Sequence, residues 1–353
     1  MHCQQVIEFG KPLEGRDYPA PEPVGTQVLI KIDACGVCHS DLHLWDGYFD
    51  LGGGQKIELA DRGIKLPFTM GHEIVGEVAA LGPDAEGVEI GDKRIVFPWI
   101  GCGECPVCQA GNELHCNAPL TLGTRYDGGY SDMVIAPHAK YLIPYDGVPA
   151  ELACTYACSG LTAYSALKKL AHLSKDDHVV IIGAGGVGLS AVHLAPSVLK
   201  AKIIVADIDG TKRAIARQSG AHETIDNSAD DVLTTLMDMT GGGAAAVIDF
   251  VGAPATATFG MNGLRKGGIY VCVGLFGDAV PVSLPLLPLT MRTIMGSYVG
   301  TLEEMHELMA LVRDGKVAPI PYEVRDLDQA TNALMDLKDG KIKGRVVLRP
   351  NLA

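Results

Sequence analysis

The sequence predicts two domains of different grammar: a mostly β barrel, then an α/β domain built on a doubly wound parallel sheet. Three observations carry this expectation. From Val28 to about Ile135 the chain reads as short strands cut by Gly and Pro. From about Ala153 apolar runs alternate with helical periodicity, the pattern of βαβ units. Within the first of those units lies Gly183-Ala184-Gly185-Gly186-Val187-Gly188, between an apolar strand and a helix.

Taken in order, the barrel strands include Val28–Ile32, Glu73–Val78 and Arg94–Phe97, each rich in β-branched residues or alternating in polarity. The α/β half opens with a helical stretch around Leu161–Leu173 and the apolar strand Val179–Ile182. A helix from Val187 follows, which Pro196 is expected to kink or end. Next come a strand Ile203–Ala206, a helix near Lys212–Gln218 and a strand Val247–Phe250. A helical pattern near Ala255–Leu264 leads into the strand Ile269–Gly274. After about Tyr298, helices Leu302–Val312 and Asp326–Leu337 and a strand Arg345–Leu348 read as packing back onto the first domain. The expected boundaries are 1–152, 153–298 for the nucleotide-binding domain, and 299–353 for the returning tail.

Composition narrows the partners. The 353 residues carry 29 Lys+Arg against 42 Asp+Glu, a formal net charge of −13. Such a surface repels phosphate backbones and anionic lipid, which excludes nucleic-acid and membrane partners from the expectation. The opening Met-His-Cys-Gln-Gln lacks the basic and apolar regions of a signal peptide, and no apolar run is long enough to span a bilayer. The 10 cysteines therefore read as thiolate ligands or buried thiols in a cytoplasmic protein.

The glycine cluster fits a dinucleotide site. Gly183 allows the tight turn, Gly185 lets the backbone approach a pyrophosphate, and Gly188 permits close helix–sheet packing. Gly186 and Val187 open the helix whose free N–H groups would face the phosphates. Asp207 lies 19 residues beyond Gly188, where a carboxylate binds ribose hydroxyls and favours NAD over NADP. Lys212 and Arg213 nearby could tolerate a 2′-phosphate. A plain glycine-rich turn with a surface Asp is the competing reading.

Cys102, Cys105, Cys108 and Cys116 form a C-x2-C-x2-C-x7-C run with glycines around it. Four thiolates that close can complete a tetrahedral zinc site with no open position. An iron–sulfur cluster or two disulfides would use similar spacing. Cys38, His72 and Cys158 could supply the Cys2His set of a zinc site with an open position, though each alone also reads as a buried thiol or core imidazole. Cys154 stands close enough to Cys158 to compete for that place.

Five motifs then occur in one order: Gly36-Val37-Cys38-His39-Ser40-Asp41, Gly71-His72-Glu73, the four-cysteine run, Cys158-Ser159-Gly160 and Gly183–Gly188. In that order, and nearly end to end, the sequence resembles the zinc-containing medium-chain alcohol dehydrogenase family, and within it the archaeal and bacterial tetrameric NAD-dependent members. The resemblance implies a GroES-like first domain with a structural zinc lobe at about 98–118, two zinc ions, NAD and a homotetramer. It implies Cys38, His72 and Cys158 as catalytic zinc ligands, with Cys158 preferred over Cys154. Asp41 matches the partner that orients His72, and Ser40 and His43 match a proton relay. Glu73 matches a carboxylate that approaches the metal in some members, or an ordinary neighbour of it. His39 matches a pyrophosphate contact, and Val273 and Lys212 fall among the cofactor-binding positions.

The implied reaction is reversible oxidation of primary or secondary alcohols to aldehydes or ketones. Trp99, Tyr48, Phe49, Leu275 and Tyr298 are the candidate pocket walls, with Tyr48 and Phe49 equally readable as core. Such a lining favours medium-chain, cyclic or aromatic substrates, and no charged anchor for a carboxylate or phosphate is evident. The segment Tyr48–Leu66, with Gly52-Gly53-Gly54, is expected to form a loop near the cleft. A polyol dehydrogenase of the same superfamily and a non-catalytic zinc-binding relative are the alternatives.

Overall fold

Two large sheets organise the chain in the computed structural model, which describes residues 1–350. The second in sequence is the parallel one. Its strands stand in the order Glu223–Ile225, Lys202–Ala206, His178–Ile182, Ala244–Asp249, Leu264–Cys272, Thr293–Gly296. All neighbours pair parallel. This is the doubly wound order, with the chain reversing direction across the sheet between His178–Ile182 and Ala244–Asp249. Runs such as Val179–Ile182 and Ala244–Asp249 are buried throughout, as strands covered on both faces must be. Helices Gly186–Val198, Gly210–Gln218, Val232–Thr240 and Pro254–Asn262 lie between successive strands.

The other sheet has seven strands, centred on Val28–Val37. One edge of that strand pairs antiparallel with Glu73–Leu81. Its opposite edge is shared: Met133–Ala136 takes Val28–Lys31, and the returning strand Arg345–Arg349 takes Cys35–Val37. The tail therefore completes the first sheet. Tyr322–Asp326 then pairs parallel with Arg345–Arg349. A continuous helical run, Ala150–Thr155, a π-helical turn Tyr156–Gly160 and Leu161–Lys168, joins the two sheets. Among the described residues no helix is long and apolar enough to cross a membrane.

Several details differ from the sequence expectation. Pro196 is not among them: the helix Gly186–Val198 ends two residues beyond it. Tyr48–Leu66 is not simply a loop, because Tyr48–Gly52 and Gln55–Glu58 pair as an antiparallel hairpin. The helix read as Asp326–Leu337 is a 3-10 turn, Leu327–Gln329, followed by Ala330–Lys338. Glu223–Ile225, Thr293–Gly296, Tyr322–Asp326 and Val232–Thr240 have no counterpart in the sequence reading.

Candidate active site

Strand register brings the first two candidate ligands together. Gly36 pairs with Glu73 across the antiparallel strands, so Cys38 and His72, just beyond each strand, meet at the same end. Cys38 then starts the helix His39–Asp46. Cys158 arrives from the π-helical turn, a wide turn that recurs at functional sites. The Sγ atoms of Cys38 and Cys158 lie 3.9 Å apart, and one ligand atom from each of the three residues lies within 4.8 Å of the others. Two thiolates bound tetrahedrally at about 2.3 Å would be separated by about 3.8 Å. All three side chains are buried, and His72 Nε2 has no hydrogen-bond partner. An orphaned imidazole nitrogen facing two thiols is the donor set zinc requires. Cys154 is not in this cluster; its thiol meets the Glu151 carbonyl at 3.3 Å.

Buried charges surround the cluster. Asp41 Oδ1 lies 3.2 Å from His72 Nδ1, while Asp41 Oδ2 accepts from the Cys38 N–H at 2.8 Å and the Tyr130 hydroxyl at 3.0 Å. Burial pulls the His72 ring down, but Asp41 and Cys38 overcome it and raise the ring well above its ordinary value. The Cys38 thiol is held well below the thiol range, first by the Cys158 thiol and then by His72. Glu73 accepts from the Ser159 N–H at 3.0 Å and pairs with Arg345, which is itself buried. Burial pushes its carboxyl up to about 7 against the pull of that guanidinium. Glu73 and Arg345 meet because their strands flank Val28–Val37 from opposite sides.

The four-cysteine run folds as a separate lobe. Cys102 and Cys108 Sγ atoms are 3.9 Å apart, as are those of Cys105 and Cys116, and all four lie within 4.8 Å of one another. Backbone N–H groups point at the sulfurs: Cys105 to Cys102 at 3.4 Å, Cys102 to Cys116 at 3.4 Å and Ala118 to Cys116 at 3.3 Å. Such donors favour thiolates, and those of Cys105 and Glu104 bring the Cys102 thiol down to about 6. Glu113 ties the lobe to the body through the Gly101 N–H at 2.9 Å, Lys140 Nζ at 2.9 Å and the Tyr141 hydroxyl at 2.7 Å.

The glycine turn lies at the carboxyl end of His178–Ile182. Gly183 has a φ of +90°, and a Cβ on Gly188 would stand 1.8 Å from the Gly183 carbonyl oxygen. A Cβ on Gly185 would meet nothing within 4 Å, leaving the open approach a pyrophosphate needs. Asp207 accepts from the Ala184 N–H at 2.7 Å and the Asp209 N–H at 2.9 Å, so its carboxylate borders this turn. Arg213 is committed to the Asp207 carbonyl at 2.7 Å and to Asp226 at 3.0 Å. Arg345 packs against Gly186, where its Nη1 would lie 2.9 Å from an added Cβ. Arg345 and Lys212 both act on the His39 ring, which burial lowers and which stacks on Phe276 at 4.8 Å. Val273 and Gly274 donate to the Asp249 carbonyl at 2.9 Å, on the same side of the sheet as the glycine turn.

A cavity of about 590 Å³ opens between these elements, with Ser40, Trp99, Phe49, Leu275 and Tyr298 in its wall. Cys38 Sγ lies 3.8 Å from Ser40 Oγ, and the Trp99 ring lies 5.3 Å from that of His72, so the buried cluster backs onto this space. Tyr298 packs edge-on to Trp99 at 5.6 Å. His43 stands behind Phe49 at 4.9 Å, with its Nε2 buried and unpartnered.

The comparisons agree with this geometry. Residues 25–147 match the family described as alcohol dehydrogenase GroES-like domain, and residues 186–314 the one described as zinc-binding dehydrogenase. A NAD-dependent alcohol dehydrogenase of Sulfurisphaera tokodaii is 40% identical over 352 residues, covering 99% of this chain and 100% of that one. The chain belongs to the zinc-containing alcohol dehydrogenase family. Solved structures of similar shape include the alcohol dehydrogenase of Aeropyrum pernix, with TM-score 0.90 and 31% identity over 99% of this chain and 100% of that one. An acetophenone reductase of Geotrichum candidum in complex with NAD has TM-score 0.85 and 29% identity over 99% and 97% of the two chains.

For a zinc-containing alcohol dehydrogenase, the sequence reading of the cavity needs two corrections. Tyr48 is outside the wall: its side chain lies on the far face of the hairpin strand from Phe49, under Lys56 Nζ at 3.5 Å. Phe49, the other aromatic of that pair, is in the wall. The expected lack of charged anchors is also overturned, since Arg62 and Arg125 line the cavity. Sequence reasoning missed Arg345 as well, because its partner Glu73 lies 272 residues away and only the returning strand brings them together.

Proposed function

We propose that the protein is a NAD-dependent zinc alcohol dehydrogenase that interconverts primary or secondary alcohols with aldehydes or ketones. The observation that carries this is the buried Cys38, His72 and Cys158 set, with His72 Nε2 unpartnered, behind a cavity bordered by a dinucleotide-type sheet end. When bound, the metal acidifies a hydroxyl or polarises a carbonyl, and nicotinamide accepts or gives hydride. Asp41 holds the His72 ring in the orientation that presents Nε2. Ser40 Oγ, in the cavity wall beside Cys38, takes the substrate's hydroxyl proton, and His43 Nε2 passes it towards solvent. His39, Lys212 and Arg345 offer positive or hydrogen-bonding groups near the helix that begins at Gly186, and Asp207 offers its carboxylate to a ribose. The Cys102, Cys105, Cys108 and Cys116 lobe would hold a second, structural zinc.

In this reading 1–152 and 299–353 form the catalytic unit and 153–298 the dinucleotide-binding unit, which the sheet memberships support. Self-association, as a homotetramer, is supported by the sheet edge at Thr293–Gly296, which pairs on one side only, and by exposed Leu284, Leu286, Leu289, Met291 and Ile294 beside it. A cytoplasmic site is supported by 10 cysteines without a disulfide.

Apolar wall residues such as Trp99, Phe49, Leu51, Ile57 and Leu275 favour hydrophobic alcohols over polyols. Following NADH absorbance with a panel of alcohols and polyols tests the reading. Oxidation of medium-chain, cyclic or aromatic alcohols is expected, and no turnover of any member with zinc present would refute it. Asp207→Gly should shift the NADP-to-NAD preference by about tenfold or more. An unchanged ratio would mean that another residue reads the ribose.

A further inference from the structure

Five charged side chains line the cavity, and they differ in how far they are already engaged. Its three carboxylates have partners. Glu113 is held by Lys140, Tyr141 and the Gly101 N–H, Asp50 accepts from the Gly52 N–H at 2.8 Å, and Asp278 from the Ala279 N–H at 2.7 Å. Neither arginine does. Among the described residues, the Arg62 and Arg125 guanidinium groups make no hydrogen bond, ion pair or ring contact. Two guanidinium groups, each with five N–H donors, thus line one cavity without a protein acceptor, in a molecule whose net charge of −13 offers many carboxylates elsewhere.

Their place along the cavity matters as much as their freedom. Trp99 lies against His72, Tyr298 lies one ring further out, and Arg62 is near enough to Tyr298 to act on its hydroxyl. Arg125 lines the same cavity, together with Thr121 and Thr124. The cavity that adjoins the buried cluster thus carries two cations in its wall that no group among the described residues engages.

We propose that the physiological substrates are alcohols or carbonyl compounds bearing a carboxylate remote from the reacting carbon, held by Arg62 and Arg125 in the cavity wall. The inference rests on the alcohol dehydrogenase reading above and deepens it. A guanidinium matches a carboxylate with two parallel N–H···O bonds, which fixes orientation as well as charge. Each of these local cations also counters the long-range repulsion that an acidic protein exerts on an acidic substrate.

The test compares kcat/KM with NAD for three matched series from butanol to decanol: the neutral alcohol, its ω-hydroxycarboxylate and its ω-amino alcohol. The best carboxylate is expected to exceed the amino alcohol of the same length by about tenfold or more. Arg62→Gln with Arg125→Gln should bring that ratio close to unity, and the double Lys variant should keep part of it. A ratio of substrates on one preparation cancels any loss of folded enzyme. The inference is overturned if no length of carboxylate is preferred, or if the Gln variant leaves the preference intact. Failure of all series, neutral alcohols included, sinks the alcohol dehydrogenase reading and this inference with it. Oxidation of neutral alcohols without carboxylate preference sinks this inference alone.

Discussion

The two sulfur-rich sites use the same chemistry in opposite ways. In the lobe, four cysteines from one short stretch converge with backbone N–H groups of that same stretch, two of them buried and two partly exposed. The buried site draws Cys38, His72 and Cys158 from three distant segments, and its fourth side faces a cavity. Four protein ligands close a tetrahedron and leave nothing for a substrate; three leave one position. The first site needs only its loop, whereas the second needs two strands in register and a wide helical turn. A structural site and a reactive one are thus distinguished by ligand count and by how much of the fold each depends on.

This contrast can be broken by substitution. Cys38→Ser should lower kcat/KM by at least about a thousandfold, about 4 kcal/mol of barrier, with zinc content falling from two ions per chain to one. Retention of both ions would remove Cys38 from the ligand set. Asp41→Asn should cost about 10–100-fold in activity or metal affinity, since it weakens the hold on His72. Wild-type rates in that variant would show that the ring needs no such support. Cys105→Ser acts on the other site: loss of one zinc and a melting temperature lower by about 5 °C or more are expected, with a smaller effect on turnover per folded molecule. If turnover falls as far as in Cys38→Ser, the two sites are not independent. The smallest effect is expected from Glu113→Gln, which loosens the lobe's tether to Lys140 by about 1 kcal/mol, read as a melting shift of a few degrees with both zincs retained.

What could be read from the sequence follows the same divide. The lobe is legible because its ligands are neighbours in the chain, and the glycine turn because strand, loop and helix are consecutive. Cys38, His72 and Cys158 emerge only with the help of resemblance, since nothing local says that three separated residues meet. Arg345, Arg62 and Arg125 were illegible for a harder reason. An arginine has an ordinary surface reading at any position, and only tertiary structure shows that one is buried against Glu73 and two face a cavity. Thr293–Gly296 and Glu223–Ile225 are short edge strands whose few residues carry too little periodicity to stand out. The hairpin at Tyr48–Glu58 was hidden by three successive glycines, which read as a loop although two of them form its turn. Read as a loop, the segment also left both Tyr48 and Phe49 as wall candidates, whereas side chains alternate along a strand and only Phe49 lines the cavity.

The position of Arg345–Arg349 has a consequence for the order of assembly. In chain order, the strand that pairs with Cys35–Val37 follows the whole parallel domain, so the first sheet is complete only once that later segment has been made. Until then Glu73 has no guanidinium to balance it, and an unpaired carboxylate in an apolar interior resists ionisation or recruits water. The first sheet is thus built from segments on both sides of the parallel domain in the sequence. The Glu73–Arg345 pair beside the Cys38, His72 and Cys158 cluster therefore cannot form before the parallel domain has been synthesised.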